Sequence, residues 1–244
     1  MYSKEFTKLY KKSGWELFPD VFSDYFLNYF KKKNINITSN LDLACGTGFL
    51  CNKLTQKRIE SIGVDISPDM ISLAKESYPN CEFQLADINS LRLNRTFDCV
   101  TCTCDSLNHL ESFTNLHNAV NTAYKHLEEG GFFIFDIINT RKIKTNTTFS
   151  FQTENATISY NFSIKNNKLL NTDVEIELDG KSYTERIVEL IINKKDLKEL
   201  LSEIGFKILV CKTNLKNAEY GLTNKLFFIC KKVAKKTKKE KDDE

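Results

Sequence analysis

Proline is scarce in this chain, with three residues among 244, at positions 19, 68 and 79. Long apolar runs are missing as well, because no stretch of about eighteen consecutive apolar residues occurs, and no transmembrane helix is therefore expected. The first residues, Met-Tyr-Ser-Lys-Glu-Phe, lack the basic-then-apolar order of a secretory signal. These absences predict a cytoplasmic protein without a membrane partner.

Excess charge of one sign is also small, since the formal net charge is +3. The last fourteen residues hold seven lysines and four acids, so the rest of the chain is neutral. A neutral body lacks the basic surface by which proteins recognise nucleic acids, and no nucleic-acid partner is expected. Residues 232–244 are predicted to form a disordered, lysine-rich tail.

Eight cysteines and three histidines are the candidate metal or base residues. Cys99, Cys102 and Cys104 fall in an apolar segment predicted as a strand over 97–104. Because side chains alternate along a strand, Cys99 and Cys102 face opposite sides and cannot hold one metal ion. We predict small buried side chains and no metal site. His117 and His126 lie on a predicted helix, which leaves His109 as the histidine to consider for chemistry.

Strand and helix patterns alternate along most of the chain, which predicts a doubly wound α/β fold with a parallel sheet. The predicted strands cover 40–45, 60–65, 81–86, 97–104, 131–138, 206–213 and 222–230. The predicted helices cover 49–57, 68–77, 114–127 and 194–204, and a further helix is entered near Pro19. Between 149 and 192 the period changes to two, with turn sequences at Asn166-Asn167 and Asp179-Gly180, which predicts an antiparallel insert.

A glycine-containing turn follows the first predicted strand, in the sequence Leu-Asp-Leu-Ala-Cys-Gly-Thr-Gly-Phe-Leu over 41–50. Gly46 and Gly48 permit positive φ and a close approach of the backbone to a ligand. Asp65 ends the second strand, nineteen positions after Gly46. Doubly wound folds place at about this position the carboxylate that binds ribose. Cys51 stands where the dinucleotide motif requires a third glycine, and no P-loop is present. The pattern therefore predicts a nucleoside ligand other than NAD or ATP.

Several segments together resemble the class I S-adenosylmethionine-dependent methyltransferases. They are Asp42–Gly48, Gly63–Met70, Ala86–Ile88, Phe97–Asn108 and Gly130–Asp136. The resemblance implies a mostly parallel seven-stranded sheet of the Rossmann-like methyltransferase fold, and S-adenosyl-L-methionine as cofactor. The first motif of that family often begins Glu/Asp-x-Gly, whereas this chain has Ala44 at the glycine.

The resemblance also implies which residues bind the cofactor. Asp42 matches the acid of the first motif, and Asp65 is expected at the ribose. The amino-acid and methionyl end is expected against Ala44, Cys45, Gly46, Cys104, Asp105 and Ser106. The adenine is expected between Ile66 and Met70, with Asp87 accepting from its amino group and Ile88 offering its backbone.

Apart from the tail over 232–244, the chain is expected to have three parts. Residues 1–33 are expected to form a helical lid, in which Tyr10 is a candidate cofactor-contacting and catalytic residue and Trp15 a weaker one. Residues 34–147 and 193–231 form the cofactor-binding core. Residues 148–192 form the antiparallel insert, either a cover that selects the acceptor or an edge sheet for dimerisation, so that a monomer and a homodimer both remain open.

His109 follows the fourth strand, where such enzymes place groups that touch the acceptor, and it is the candidate general base. The alternative is a polar loop histidine, because an amine acceptor that is already neutral needs no base. The predicted function is methyl transfer to a small-molecule acceptor such as an amine, by in-line displacement. Two alternatives remain: an RNA or protein methyltransferase, and a protein that binds S-adenosylmethionine without turnover.

Overall fold

The computed structural model describes residues 4–10, 16–143, 145–146, 148–152, 156–213 and 225–233. The helices are α1 (Lys4–Tyr10), α2 (Leu17–Lys32), α3 (Phe49–Gln56), α4 (Pro68–Ser77), α5 (Phe113–Lys125) and α6 (Lys194–Ile204). The core strands are β1 (Ser39–Leu43), β2 (Glu60–Asp65), β3 (Glu82–Leu85), β4 (Phe97–Cys102), β5 (Leu127–Ile138), β10 (Phe206–Thr213) and β11 (Lys225–Lys232). The insert holds β6 (Thr148–Gln152), β7 (Ala156–Lys165), β8 (Leu169–Leu178) and β9 (Lys181–Leu190). Short 3-10 helices cover Ser106–His109 and Thr140–Lys142.

The core is a seven-stranded sheet in the order β10-β11-β5-β4-β1-β2-β3. β11 pairs antiparallel with both neighbours, and the other pairs are parallel. One apolar cluster joins α5 and α6 to the sheet, and a second joins α2 and α3 to it. Helices cover both faces, which confirms the predicted doubly wound fold with its antiparallel insert. In the described part of the chain, no helix is long and apolar enough to cross a membrane.

The cysteines of β4 lie as the alternation predicts. Cys99 is buried among the residues that α2 and α3 cover, whereas Cys102 belongs to the cluster beneath α5 and α6. All eight cysteines are free thiols. β4 ends at Cys102, two residues before the predicted end, so Cys104 lies outside the strand.

The insert is a separate antiparallel sheet in the order β6-β7-β8-β9. Its two predicted turns are present, with positive φ at Asn166, Asn167, Asp179 and Gly180. Asp179-Gly180 is a two-residue connection of the kind that a type I′ hairpin requires, whereas three residues separate the paired Lys165 and Leu169. Helix α1 lies within the segment expected to be helical, although its bounds were not predicted, and it packs on this sheet through Phe6 and Leu9. The N-terminal segment therefore contacts the insert.

Several strand boundaries differ from the sequence prediction, and those of β5 and β11 have a clear physical reason. β5 begins at Leu127, not 131, because Gly130, at φ +82°, lets the strand bulge while it pairs with β4. β11 extends through Lys232, which was predicted to begin the tail, and Lys232 donates a 2.8 Å hydrogen bond to the carbonyl oxygen of Leu127. Trp15 and the predicted tail beyond 233 lie outside the described residues.

Candidate functional site

The glycine turn between β1 and α3 has an unusual backbone. Ala44, Gly46 and Gly48 all have positive φ, at +56°, +53° and +79°. The positive φ at Ala44 gives a physical reason for a glycine there in the resembling family, since an L residue in this region is strained. A Cβ on Gly48 would lie 2.5 Å from the Phe83 ring, whereas a Cβ on Gly46 would meet nothing within 4 Å. Gly48 is thus required by packing, and Gly46 faces open space.

Asp65, at the end of β2, holds this turn to the start of α4. One carboxylate oxygen accepts from the Gly46 amide at 2.9 Å, and the other accepts from the Ser67 amide at 2.9 Å. Burial raises the pKa of Asp65, and these amide donors oppose the rise. Each oxygen has a second lone pair with which to accept from a ligand hydroxyl.

Asp42 lies deeper, on β1 below the turn. Its carboxylate accepts from the Thr101 hydroxyl at 2.7 Å and from the Cys51 thiol at 3.7 Å. Burial raises the pKa of Asp42 to about 7. Asp42 therefore carries a proton part of the time near neutrality.

The residues expected at the adenine follow β2 and β3. Ile66 is half exposed, at 53%, whereas Met70 and Ile88 are buried. One oxygen of Asp87 accepts from the backbone amide and the side-chain amide of Asn89, both at 2.8 Å. These bonds fix the Asp87 carboxylate at the end of β3.

One pocket of about 420 Å³ collects nearly all of the residues that the sequence singled out. Its lining includes Tyr10, Asp42, Ala44, Cys45, Gly46, Asp65, Ile66, Met70, Asp87, Ile88, Cys104, Ser106 and His109. Its volume is in the usual range for small-molecule sites, and it lies at the carboxyl ends of β1, β2 and β4, where open α/β sheets bind ligands.

Asp105 is the exception, because it is not part of the pocket lining. Cys104 and Asp105 have φ of +61° and +50°, and the backbone turns there before Ser106–His109. The Asp105 carboxylate forms an ion pair with Lys225, and the Asp105 amide donates to Asp136 at 2.8 Å. We infer that Asp105 braces the turn rather than contacting a ligand.

The largely buried Lys225 of β11 stabilises the turn at Cys104 and Asp105. Lys225 Nζ lies 3.7 Å from Asp136 Oδ2, in addition to its ion pair with Asp105. Burial raises the pKa of Asp136 to about 7, which the nearby Lys225 opposes. The two carboxylates raise the pKa of Lys225 against the effect of burial. Lys225 therefore carries its charge here, and sequence patterns gave no signal for it.

His109 ends the 3-10 helix and lines the pocket, with 31% of its side chain exposed. Its Nε2 lies 3.8 Å from Oε1 of Glu189, a β9 residue whose side chain is 6% exposed. Burial lowers the pKa of His109. Burial and the charge of Asp105 raise the pKa of Glu189 to about 8.

The side chains of Asp105, His109 and Glu189 have potential ligand atoms within 4.8 Å of one another. That spacing could fit a cation, but the ammonium group of Lys225 already neutralises Asp105 and would repel one. We do not assign these residues as metal ligands.

The insert and the N-terminal segment complete the pocket wall. Four consecutive β9 residues, Glu185 to Val188, line the pocket with His109. Glu16, just before α2, accepts a 3.0 Å hydrogen bond from Thr47 in the glycine turn. The alternating pattern predicted β9 as a strand but could not show which of its residues reach the pocket.

Comparison with known proteins adds the family to this geometry. Residues 41–131 match the family described as a methyltransferase domain. Over 207 residues the chain is 30% identical to a putative methyltransferase of Geobacillus sp. (strain WCH70), an alignment that covers 79% of this chain and 83% of that protein.

A second relative, from Streptomyces venezuelae, is named dTDP-3-amino-3,4,6-trideoxy-alpha-D-glucopyranose N,N-dimethyltransferase. It is 33% identical over 94 residues, which is 38% of this chain and 40% of the relative. Among solved structures, a S-adenosylmethionine-dependent methyltransferase from Clostridium acetobutylicum ATCC 824 superposes with a TM-score of 0.79 at 25% identity. That match covers 94% of this chain and 98% of the other.

Proposed function

We propose that this chain, which belongs to the S-adenosylmethionine-dependent methyltransferases, methylates the amino group of a small-molecule acceptor. The family fixes the donor, S-adenosylmethionine, and the reaction, methyl transfer. The observation that carries the acceptor class is the position of β9, whose residues Glu185 to Val188 line the pocket beside His109. A pocket that is bounded by the insert on this side suits a small acceptor better than a polymer. The Streptomyces relative is named for an amino-sugar substrate, which supports an amine.

Two features of the pocket support binding of the donor there. The space in front of Gly46 lets the donor approach the turn, and the remaining lone pairs of Asp65 suit ribose hydroxyls. When bound, the donor supplies an electrophilic methyl group on a positively charged sulfur. Among the described lining residues the acids outnumber the bases: they are Glu16, Asp42, Asp65, Asp87, Glu111 and Glu185, against Arg186 and His109. This lining favours a cationic donor and an amine.

The protein contributes mainly by aligning the acceptor for in-line displacement, which can lower the barrier by about 7–11 kcal/mol. The amine must be unprotonated to attack, since an ammonium nitrogen has no lone pair. His109 lies at the acceptor end and its pKa is lowered by burial, so the imidazole is neutral near pH 7 and can take a proton. We assign His109 as the general base.

The N-terminal segment and the insert are proposed as a two-part cover. Tyr10 of α1 lines the pocket, while Phe6 and Leu9 of the same helix pack on the insert. We assign Tyr10 to the donor side of this cover and β9 to the acceptor side.

The first test is calorimetric titration with S-adenosylmethionine, S-adenosylhomocysteine and NAD, followed by an assay of S-adenosylhomocysteine release with a panel of small amines. Binding of the adenosyl ligands alone, with release that depends on an amine, is the expected result. Release only with RNA or protein would overturn the acceptor class. Binding without release for any acceptor would indicate a binding protein.

A further inference from the structure

We propose that Glu189 is a positioning residue for His109. Its carboxyl group orients the imidazole at the acceptor end of the pocket and receives, through that imidazole, the proton that the acceptor amine loses. The proposal rests on the proposed function, because it concerns an amine acceptor. It places one part of the proton path on the insert rather than on the cofactor-binding core.

The geometry holds Glu189 firmly behind His109. Glu189 is buried and does not line the pocket, whereas His109 does. Glu189 Oε1 lies 3.8 Å from His109 Nε2, and its Oε2 accepts from the Thr172 hydroxyl of β8 at 3.4 Å. The 3.8 Å distance is too long for a hydrogen bond, but such pairs are often long without substrate and shorten when it binds.

The side chain of Asn108 ties the backbone beside His109 to the backbone beside Glu189. Asn108, next to His109, donates a 2.8 Å hydrogen bond to the carbonyl oxygen of Leu190, next to Glu189. Its Oδ1 accepts from the amide of Ile138, the last residue of β5, at 3.0 Å. The imidazole and the carboxyl group therefore come from segments that are tied to each other and to the core.

The surrounding charges favour a proton on Glu189. Among the residues that the structure describes, the charged groups that act on the pair are Asp105 at the turn, Asp136 of β5 and Lys225 of β11. Lys225 disfavours a proton on His109 and Asp105 favours one, while burial opposes the charged imidazole. The net effect lowers the pKa of His109 and raises that of Glu189. A proton that enters the pair is thus more stable as the neutral carboxylic acid of Glu189.

The proton and electron balance of the step is complete. A bound ammonium group gives one proton to the imidazole of His109, and the imidazole gives the proton on Nε2 to Glu189 Oε1. The neutral amine then forms its bond to the methyl carbon while the carbon–sulfur bond breaks, and the electron pair of that bond goes to sulfur. The positive charge passes from sulfur to nitrogen, and no other reactant is required.

The test compares the pH dependence of turnover in wild type, Glu189→Gln, His109→Gln and the double variant. Wild-type kcat/KM for the amine should rise with pH through about 8. In Glu189→Gln this rise should be lost, and kcat/KM for the amine should fall about 10- to 100-fold. The KM for the donor should be unchanged. In the His109→Gln background, Glu189→Gln should add no further loss, because Glu189 acts through His109. Glu177→Gln, an exposed carboxylate of β8, is the matched control.

Two results would overturn the role of Glu189: an unchanged pH profile in Glu189→Gln, or a loss of equal size with and without His109. Thermal unfolding and S-adenosylhomocysteine binding show whether each variant is folded. If Glu189→Gln does not fold, Glu189→Asp takes its place. Glu189→Asp keeps the carboxyl group but places it farther from His109. The rise of kcat/KM with pH should therefore be weaker, and the KM for the donor should be unchanged.

Histidine NMR of the complex with S-adenosylhomocysteine tests the contact without turnover. The chain has three histidines, so His109→Gln assigns the signal of His109. Wild-type His109 signals should shift as pH passes through about 8, and Glu189→Gln should remove that step. If Glu189→Gln loses the step and the wild-type enzyme turns over an amine, both proposals are supported. If the step persists in Glu189→Gln, only the role of Glu189 is overturned. Absence of turnover with every amine overturns the proposed function.

Discussion

The side-chain amide of Asn108 donates a 2.8 Å hydrogen bond to the backbone carbonyl of Leu190, joining the turn after β4 to the last residue of β9. The same side chain accepts from the Ile138 amide at 3.0 Å. Asn108 is itself buried, with 1% of its surface exposed. One residue therefore connects the sheet, the 3-10 helix that bears His109 and the insert.

Replacing Asn108 should affect stability and acceptor binding together. In Asn108→Ala the Leu190 carbonyl and the Ile138 amide lose their partner, which should lower the free energy of unfolding by about 2–3 kcal/mol. The KM for the acceptor should rise, because β9 is no longer tied to the turn. Urea unfolding and steady-state kinetics measure the two effects. Asn28→Ala, on the exposed face of α2, is the control, and equal stability of both variants would contradict the prediction.

The two glycines of the β1–α3 turn should respond differently to alanine. Gly48→Ala places a Cβ within 3.0 Å of Phe83 and Ala74 at a positive φ, so it should lower stability by about 2 kcal/mol or more. Gly46→Ala has positive φ but open space, so it should cost about 1 kcal/mol in stability and mainly weaken cofactor binding. Thermal unfolding and calorimetry with S-adenosylhomocysteine separate these effects. The reverse pattern would show that Gly46 does not face the cofactor.

Asp65→Ala should weaken S-adenosylhomocysteine binding by about 1–3 kcal/mol. The variant removes the acceptor for the Gly46 and Ser67 amides and the carboxylate expected at the ribose. Glu76→Ala, at an exposed position of α4, provides a control of the same chemistry. If a folded Asp65→Ala protein binds the ligand with wild-type affinity, Asp65 has no role at the ribose.

Asp42 should make the ligand-free protein less stable as the pH rises. Its pKa is about 7 in the folded state and near 4 when unfolded, so between these values only the folded state holds the proton. The stabilising contribution is full below about pH 4 and is lost as the pH rises through about 7.

Asp42→Asn should remove part of this pH dependence. Between pH 5 and pH 8 the free energy of unfolding should fall in wild type. In Asp42→Asn that fall should be smaller by on the order of 2 kcal/mol. Urea unfolding between pH 4 and 8 measures it, with Asp179→Asn in an exposed turn as control. Parallel curves for wild type and Asp42→Asn would show that the folded state does not protonate Asp42.

Local signals in the sequence predict most of the fold. The bounds of α4 and α6 are as predicted, because Ser67 and Asn193 cap their first turns and Gly205, at φ +115°, ends α6. Residues 1–33 were expected to be helical from the resemblance alone, and the bounds of α1 were not predicted because its short apolar pattern has meaning only when it packs on the insert. The early start of β5 was missed because the bulge at Gly130 looks like a helix stop in sequence.

Some residues of the candidate site could be predicted from the sequence, and others could not. Gly46, Asp65 and Asp87 could be found because each ends or follows a strand, and parallel strands bring their carboxyl ends to one edge of the sheet. Glu189 and Lys225 could not be found, because they arrive from the insert and from the last strand. Their partners, His109 and Asp105, are 80 and 120 positions away along the chain. Such contacts depend on how the elements pack, which periodicity does not encode.

The position of the insert along the chain separates two kinds of change. Its strands, from Thr148 to Leu190, form one contiguous segment between β5 and α6, and the glycine turn, Asp65 and Asp87 all precede it. Mutation, lengthening or replacement of this segment alters the wall beside His109 and the support of α1, while the glycine turn, Asp65 and Asp87 stay in place. If β9 contacts the acceptor, as we propose, acceptor preference can change through this one segment, in evolution or in the laboratory, without a change in the glycine turn, Asp65 or Asp87.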